Sequence, residues 1–216
     1  MRYLMITALA LTFFIQEARA QEIEITPMVG YVARNDLRFI EGKMEVNDLL
    51  NFGASFSFPS SNDNGRFDFL LANSFTRAIW HESPDYADLI SEKNYSMNVT
   101  YFQLSYTIQT EFQRDYFLYF GPSLGLVNYN ISKSEVENMP RFSIGAQTGV
   151  KMHFNHMLGV RANCHMILPV FMGSGKHFRG ITEETGVNSY LNVNATTFPV
   201  NFLFDVGLIL RFPTRW

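Results

Sequence analysis

The sequence predicts an all-β protein: an eight-stranded antiparallel up-and-down transmembrane β-barrel with short periplasmic turns and long extracellular loops. Three observations carry that expectation. Eight segments alternate apolar and polar residues with a period of two, the signature of a strand with two unlike faces. The connectors between those segments alternate short and long, as they do when short turns lie on one side of a membrane and loops on the other. Aromatic residues make up 15% of the chain, with 21 Phe and 10 Tyr, while only 17% is charged. An ordinary soluble domain carries about 25% charged residues.

The N-terminus supplies an address. Arg2 is followed by an apolar run over residues 4–15 and then by Ala18-Arg19-Ala20 before Gln21. A charged start, a short apolar core and an A-x-A step read as a cleaved signal peptide over residues 1–20, leaving 21–216 as one barrel domain. The run is too short for the roughly 20 residues that a spanning helix needs. Removing Arg2, Arg19 and Glu17 leaves 15 basic (17 − 2) and 19 acidic (20 − 1) residues, a net charge of −4. Nothing in that balance suggests a nucleic-acid partner. Cys164 is the single cysteine, so no disulfide within the chain holds the fold.

The segments follow in order. Over 22–33, Ile23, Ile25, Pro27, Val29 and Tyr31 share one face and Glu24, Thr26, Met28 and Gly30 the other. Over 49–58, Leu50, Phe52, Ala54, Phe56 and Phe58 alternate with Asn51, Gly53, Ser55 and Ser57. The stretch 59–65 is almost all Pro, Ser, Asn, Asp and Gly, a turn. Over 66–79, Phe67, Phe69, Leu71 and Phe75 oppose Arg66, Asp68, Ala72, Ser74 and Thr76. Over 97–109, Phe102, Leu104, Tyr106 and Ile108 oppose Tyr101, Gln103, Ser105 and Thr107.

Over 116–127, Leu118, Phe120, Pro122, Leu124 and Leu126 oppose Gly121, Ser123 and Gly125; Pro122 lacks a ladder donor and is the awkward member. Over 141–154, Phe142, Ile144, Ala146, Val150 and Met152 oppose Arg141, Ser143, Gln147 and Lys151. Over 158–168, Leu158, Val160, Ala162, Cys164 and Met166 oppose Arg161, Asn163 and His165. The last strand, within 199–216, puts Phe202, Phe204, Val206, Leu208, Leu210 and Phe212 against Asn201, Leu203, Asp205, Gly207, Ile209 and Arg211. Connectors 59–65, 110–115 and 155–157 are short, whereas 34–48, 80–96, 128–140 and 169–198 are long.

The polar face decides which way the barrel is turned. It is rich in Gly, Ser and Thr with scattered charges, as a narrow interior requires, rather than in the Lys and Glu of a solvated surface. Eight strands leave an interior just wide enough for side chains to fill. Glu24, Arg66, Asp68, Lys151, Arg161, Asp205 and Arg211 are therefore expected to pair inside, with Arg66, Arg161 or Glu24 as partners of Asp205 and Arg211. The barrel should be plugged rather than open. Tyr31, Phe58, Phe67, Tyr116, Tyr129, Phe142, Phe154, Phe202, Phe212 and Trp216 lie near strand ends, where aromatic girdles meet the membrane surfaces. On this parity Phe204 and Leu208 face lipid, where an arginine should block assembly, while Asn201→Arg or Gly207→Ser, facing inward, should be milder.

The stretches ITPMVGYVAR (25–34), VTYFQLSYTI (99–108), YFGPSLGLVNY (119–129) and RFSIGAQTGVKMHF (141–154) resemble the bacterial outer-membrane β-barrel family. The likeness is to its small eight-stranded group, the OmpA transmembrane domain and OmpX-like proteins. It covers nearly all of 22–216 as a pattern of glycines, aromatics and alternation, so it bears on architecture more than on activity. It implies the outer membrane as location, with its lipid and lipopolysaccharide as surroundings. It also implies insertion by the barrel-assembly machinery, which reads an aromatic end on the last strand; Phe212 and Trp216 both fit that signal, with Pro213 between them.

No motif names an activity. Gly173-Ser174-Gly175-Lys176 lacks the earlier glycine of a phosphate loop, where Val170 stands, and has His177 after the lysine. His81, His153, His156, His165 and His177 show no metal spacing, and His153 and His156 read as solvated turn residues. His165, Ser174 and Glu183 are the set from which an acyl hydrolase on the same barrel would be built at the outer rim. The three Asn-x-Ser/Thr matches, at 98, 130 and 194, are incidental in a bacterial envelope protein. Loop 169–198 is the longest and the expected place for an extracellular contact, whose partner the sequence does not name.

The sequence thus favours a non-enzymatic barrel with a structural or interaction role and no cofactor. A secreted lipocalin-like barrel holding a small apolar ligand and a lipid-modifying acyl hydrolase are the two other readings.

Overall fold

The computed structural model describes residues 22–33, 35–38, 42–47, 49–62, 64–82, 94–131, 139–170, 176–179, 190–192 and 200–213. They form β1 (Glu22–Val32), β2 (Asn35–Arg38), β3 (Gly42–Val46), β4 (Leu49–Pro59), β5 (Gly65–Glu82) and β6 (Asn94–Gln113). These are followed by β7 (Tyr116–Ile131), β8 (Met139–His153), β9 (Leu158–Pro169), β10 (Lys176–Arg179), β11 (Tyr190–Asn192) and β12 (Asn201–Pro213). Strands β1, β4, β5, β6, β7, β8, β9 and β12 pair antiparallel in chain order, and β12 returns to pair with β1 from Ile23↔Phe212 to Val32↔Leu203. That closure satisfies both backbone edges of every barrel strand, the condition for a sheet to cross a hydrocarbon layer.

The faces follow the alternation. On β12 Val206 is 58% exposed while its neighbour Asp205 is 3% exposed. The same contrast runs around the ring, with Leu50, Phe75, Phe120, Leu124 and Phe204 outside and Ser55, Ser74, Ser123, Gln103 and Asn163 inside. A lipocalin-type soluble barrel would show the reverse.

Prolines are accommodated by omission rather than by slippage. The β1–β12 ladder passes from Ile25↔Leu210 to Met28↔Gly207, skipping Pro27, and the β6–β7 ladder passes from Ser105↔Ser123 to Ile108↔Phe120, skipping Pro122. Two residues are passed over on each strand, so the register is kept across the gap that the missing proline donor leaves.

The short turns are tied locally. Asn155 Oδ1 accepts from the backbone N–H of both Met157 and Leu158 at 2.8 Å. In the two-residue turn Arg114–Asp115, Asp115 takes φ 68°, a region that Asp tolerates better than most residues.

Three features depart from the sequence expectation. The connector 34–48 carries the hairpin β2–β3, and β3 pairs with the far end of β5, from Gly42↔Glu82 to Val46↔Ala78, so the wall is taller there. Loop 169–198 holds the small sheet β10–β11. The interior is also layered rather than uniformly polar. Its turn end is ionic, but toward the loop end Met28, Val32, Met44, Val46, Leu70, Met97, Val99, Tyr101, Val127, Ile167 and Leu203 form a buried apolar cluster. Tyr129 belongs to that cluster and not to an outer girdle, because it has the inward parity of β7 and receives a 3.1 Å hydrogen bond from Asn201 Nδ2.

Gly207 sits in a tight approach of two strands. A Cβ there would lie 2.6 Å from both the Pro27 carbonyl oxygen and the Thr26 methyl carbon, so β1 and β12 approach too closely for any side chain. Gly207→Ala and Gly207→Ser should therefore each lower stability by ~1–3 kcal/mol through overpacking, read as a drop in the urea midpoint of the refolded protein. Phe204→Arg and Leu208→Arg, facing outward at mid-strand, should cost about 2–4 kcal/mol each and abolish the heat-modifiable folded band in gel electrophoresis. Met157→Arg, in an exposed turn, should leave that band intact; equal tolerance at all these positions would reverse the assignment of faces.

Candidate functional site

The ionic layer starts from a register fact. Lys151 on β8 and Arg161 on β9 are direct cross-strand neighbours and both point inward. Two adjacent buried cations repel each other unless carboxylates reach them. The carboxylates come from across the lumen. Lys151 Nζ donates to Glu24 Oε2 of β1 at 2.7 Å, and Arg161 Nη1 donates to Asp68 Oδ1 of β5 at 3.0 Å. Strands β9 and β5 are four steps apart around an eight-membered ring, so the second bond spans the full diameter.

Each member is further held. Asp68 Oδ2 accepts from Gln147 Nε2 at 2.8 Å and from Thr107 Oγ1 at 2.9 Å. Arg161 Nε donates to the Tyr119 hydroxyl at 2.7 Å and to Asn163 Oδ1 at 2.6 Å, and its guanidinium lies 4.5 Å from the Tyr119 ring centroid. Tyr119 reaches this position over Gly149, where a Cβ would collide with the phenol. Charge-assisted bonds of this kind are the strong class of hydrogen bond.

Toward the turn end, Glu24 collects two more cations. Its Oε1 is 3.6 Å from Arg66 and 3.7 Å from Arg211, with the His153 ring 3.9 Å away. Arg66 also donates to Ser57 Oγ and to the Glu22 carbonyl, both at 2.8 Å, and Arg211 pairs with the Glu22 carboxylate at 3.0 Å. Glu24, Arg66, Lys151 and Arg211 thus meet around one carboxylate, while Asp68 and Arg161 form the second centre. Asp205 stands apart. It has no arginine partner among the described residues; Asn163 Nδ2 donates to it, and His165 Nε2 lies 3.3 Å from its other oxygen.

The histidines correct the sequence reading. His153 is buried inside, 5.2 Å from the Phe117 ring, because the inward parity of β8 extends through it; His156 is exposed in the turn. His165 faces the lumen beside Asp205, with the inward parity of Arg161 and Asn163. Ser174, Glu183 and the glycines at 173 and 175 lie outside the described residues, as does Trp216. Phe212 is exposed on the outer face at the end of β12, opposite Ile23. Among the described residues, no group of three or more His, Cys, Asp or Glu is placed to hold a metal ion.

The parity of the strands made these inward groups visible in the sequence. Their pairing was not, since contacts such as Lys151–Glu24 join residues 127 positions apart. His153 and His165 carried only their parity as a signal.

A closed eight-stranded antiparallel barrel of this kind has known counterparts. Neisserial surface protein A superposes with a TM-score of 0.54 at 13% identity, over 88% of this chain and 97% of that one. The fold is that of the small outer-membrane β-barrels. The outer membrane protein OprG from Pseudomonas aeruginosa gives 0.58 at 10% identity, over 91% and 98% of the two chains. The outer membrane protein AlkL, solved in DMPC lipid bilayers, gives 0.51 at 12% identity, over 92% of each. No protein-family model matches the chain, and no curated protein matches its sequence.

Removing one partner of the diametric pair strands the other. Arg161→Met should destabilise the barrel by about 3–5 kcal/mol, whereas Arg161→Met combined with Asp68→Leu should recover most of the loss. Urea unfolding of the protein refolded in detergent checks this, and an additive double variant would show that the pair is not coupled.

Proposed function

We propose that the protein is an integral outer-membrane β-barrel, exported with removal of residues 1–20, whose filled lumen makes it a rigid scaffold for its loops rather than a pore. The observation that carries this reading is the stacking of two seals in one lumen. The Lys151–Glu24 and Arg161–Asp68 bonds cross the turn-end half, and the apolar cluster around Tyr101, Met97 and Leu203 occupies the loop-end half. A conducting barrel of this size would need an open polar path, and the side chains buried through both halves leave little room for one. The outward Phe, Leu and Val surface supports lipid, including lipopolysaccharide, as the surroundings. Phe212 is exposed where the barrel-assembly machinery would read a terminal aromatic, and Trp216 is the second candidate for that signal.

The reading is non-enzymatic and needs no cofactor. The lumenal position of His165 counts against a rim triad built on it with Ser174 and Glu183. Loop 169–198 remains the favoured site of an extracellular contact.

In planar bilayers the refolded protein should show no steady single-channel steps. A variant with Lys151→Ala, Arg161→Ala and Leu203→Ser should conduct if it folds; stable steps from the unaltered protein would sink the plugged reading. Terminal sequencing of the chain recovered from outer membranes should begin at Gln21.

A further inference from the structure

The outer wall carries a polar patch that neither the filled lumen nor the apolar band accounts for. Across β5, β6 and β7 the outward rows Phe69–Leu104–Leu124 and Leu71–Phe102–Leu126 are apolar. The next outward row is Asn73–Thr100–Asn128, followed by Phe75–Asn98–Asn130 and then by Arg77 paired with Ser96. The change is local. Toward the same end of the barrel, the outward residues of neighbouring β4, β1 and β12 are Phe52 and Leu50, Tyr31, and Phe204 and Phe202.

A pocket of about 560 Å³ opens over the patch, with Asn47, Phe75, Arg77, Ser96, Asn98 and Asn130 in its lining. Its floor is fixed by the base of the added hairpin. Asn47 N–H donates to the Arg77 carbonyl at 3.3 Å, and the Thr76 hydroxyl donates to the Asn47 carbonyl at 3.3 Å.

We propose that this pocket binds the phosphorylated saccharide headgroup of an outer-leaflet glycolipid. The proposal rests on the outer-membrane reading above. Its position puts a headgroup at the pocket and acyl chains down the rows through Leu71 and Phe102, the geometry of an amphiphile standing at the edge of the band. Arg77 is exposed and makes no ion pair among the described residues, and a guanidinium presents a fork that matches phosphate. Asn98 and Asn130 line the pocket, and the amide oxygen of Asn98, turned inward, has no hydrogen-bond partner among the described residues. Amides next to a hydroxyl-rich ring can supply both donors and acceptors. Phe75, 60% exposed and braced by Phe52 at a ring separation of 5.6 Å, offers a fixed apolar surface beside them. A phospholipid headgroup such as that of phosphatidylglycerol brings the phosphate with at most a short flexible diol, whereas a saccharide ring presents several fixed hydroxyls to neighbouring amides.

Native mass spectrometry of the folded full-length mature chain in detergent, titrated with rough lipopolysaccharide, tests the site. Arg77→Ala should weaken retention of the glycolipid about tenfold, as loss of a charge-assisted contact does. Arg77→Lys should lose less, and Asn98→Leu with Asn130→Leu should weaken binding without touching the cation. Arg114→Ala, an exposed cation at the turn end, should change nothing. Equal retention by Arg77→Ala, or equal competition by phosphatidylglycerol, would overturn the proposal. Equal binding of a free glucosamine phosphate lacking acyl chains would also overturn it, by making this a soluble sugar-phosphate site. A protein that folds and inserts yet binds no glycolipid removes this inference alone, whereas one that stays soluble without detergent removes the outer-membrane reading beneath it.

Discussion

Two inward cations set side by side, Lys151 and Arg161, impose the constraint on which the barrel interior depends. Neither strand that carries them offers a carboxylate in reach. The counter-charges must come from β1 and β5, and the two bonds at 2.7 and 3.0 Å lash opposite walls together. A hydrophobic pair could stabilise as well, since buried ion pairs roughly offset their own desolvation. What an ionic layer adds is register: a strand shifted by one residue would turn Glu24 or Asp68 outward and leave a buried cation alone. Gln147, Thr107, Tyr119 and Asn163 then fill the remaining donor and acceptor positions around it.

Above that layer the physics changes without any change in strand geometry. Met28, Leu70, Val99, Tyr101 and Leu203 occupy inward positions identical in parity to those of Glu24 and Asp68. With the hairpin β2–β3 extending the wall over β5, Met44 and Val46 join them. The lumen is therefore a charged network at its turn end and a mixed core at its loop end, where the apolar cluster is interleaved with Asn51, Ser74, His165 and Asn201. The outer wall has an equivalent boundary on β5, β6 and β7, where the apolar rows give way to asparagines and Arg77.

Much of this was legible in the residues. Period-two alternation located all eight barrel strands and put Phe204, Leu208, Asp205 and Arg211 on their correct faces, because a pleated strand allows only two directions. Other features were hidden. The hairpin within 34–48 is mostly polar and alternates too briefly to stand out. Tyr129 resembled a girdle residue because composition near a strand end does not reveal where the strand ends. The tight approach of β1 to β12 at Gly207 has no local signature either.

The sequence by itself determined the strand count, the alternation of short and long connectors and the identity of the inward charges, since each is a local property of a chain with period two. Only the tertiary structure decided which charges meet, that Asp205 is served by Asn163 and His165 while Arg211 is served by Glu22 and Glu24, and that an apolar cluster gathers toward the loop end of the lumen. Those outcomes depend on closure. Once β12 pairs with β1, residues more than a hundred positions apart share one narrow interior, and neither periodicity nor composition carries that distance.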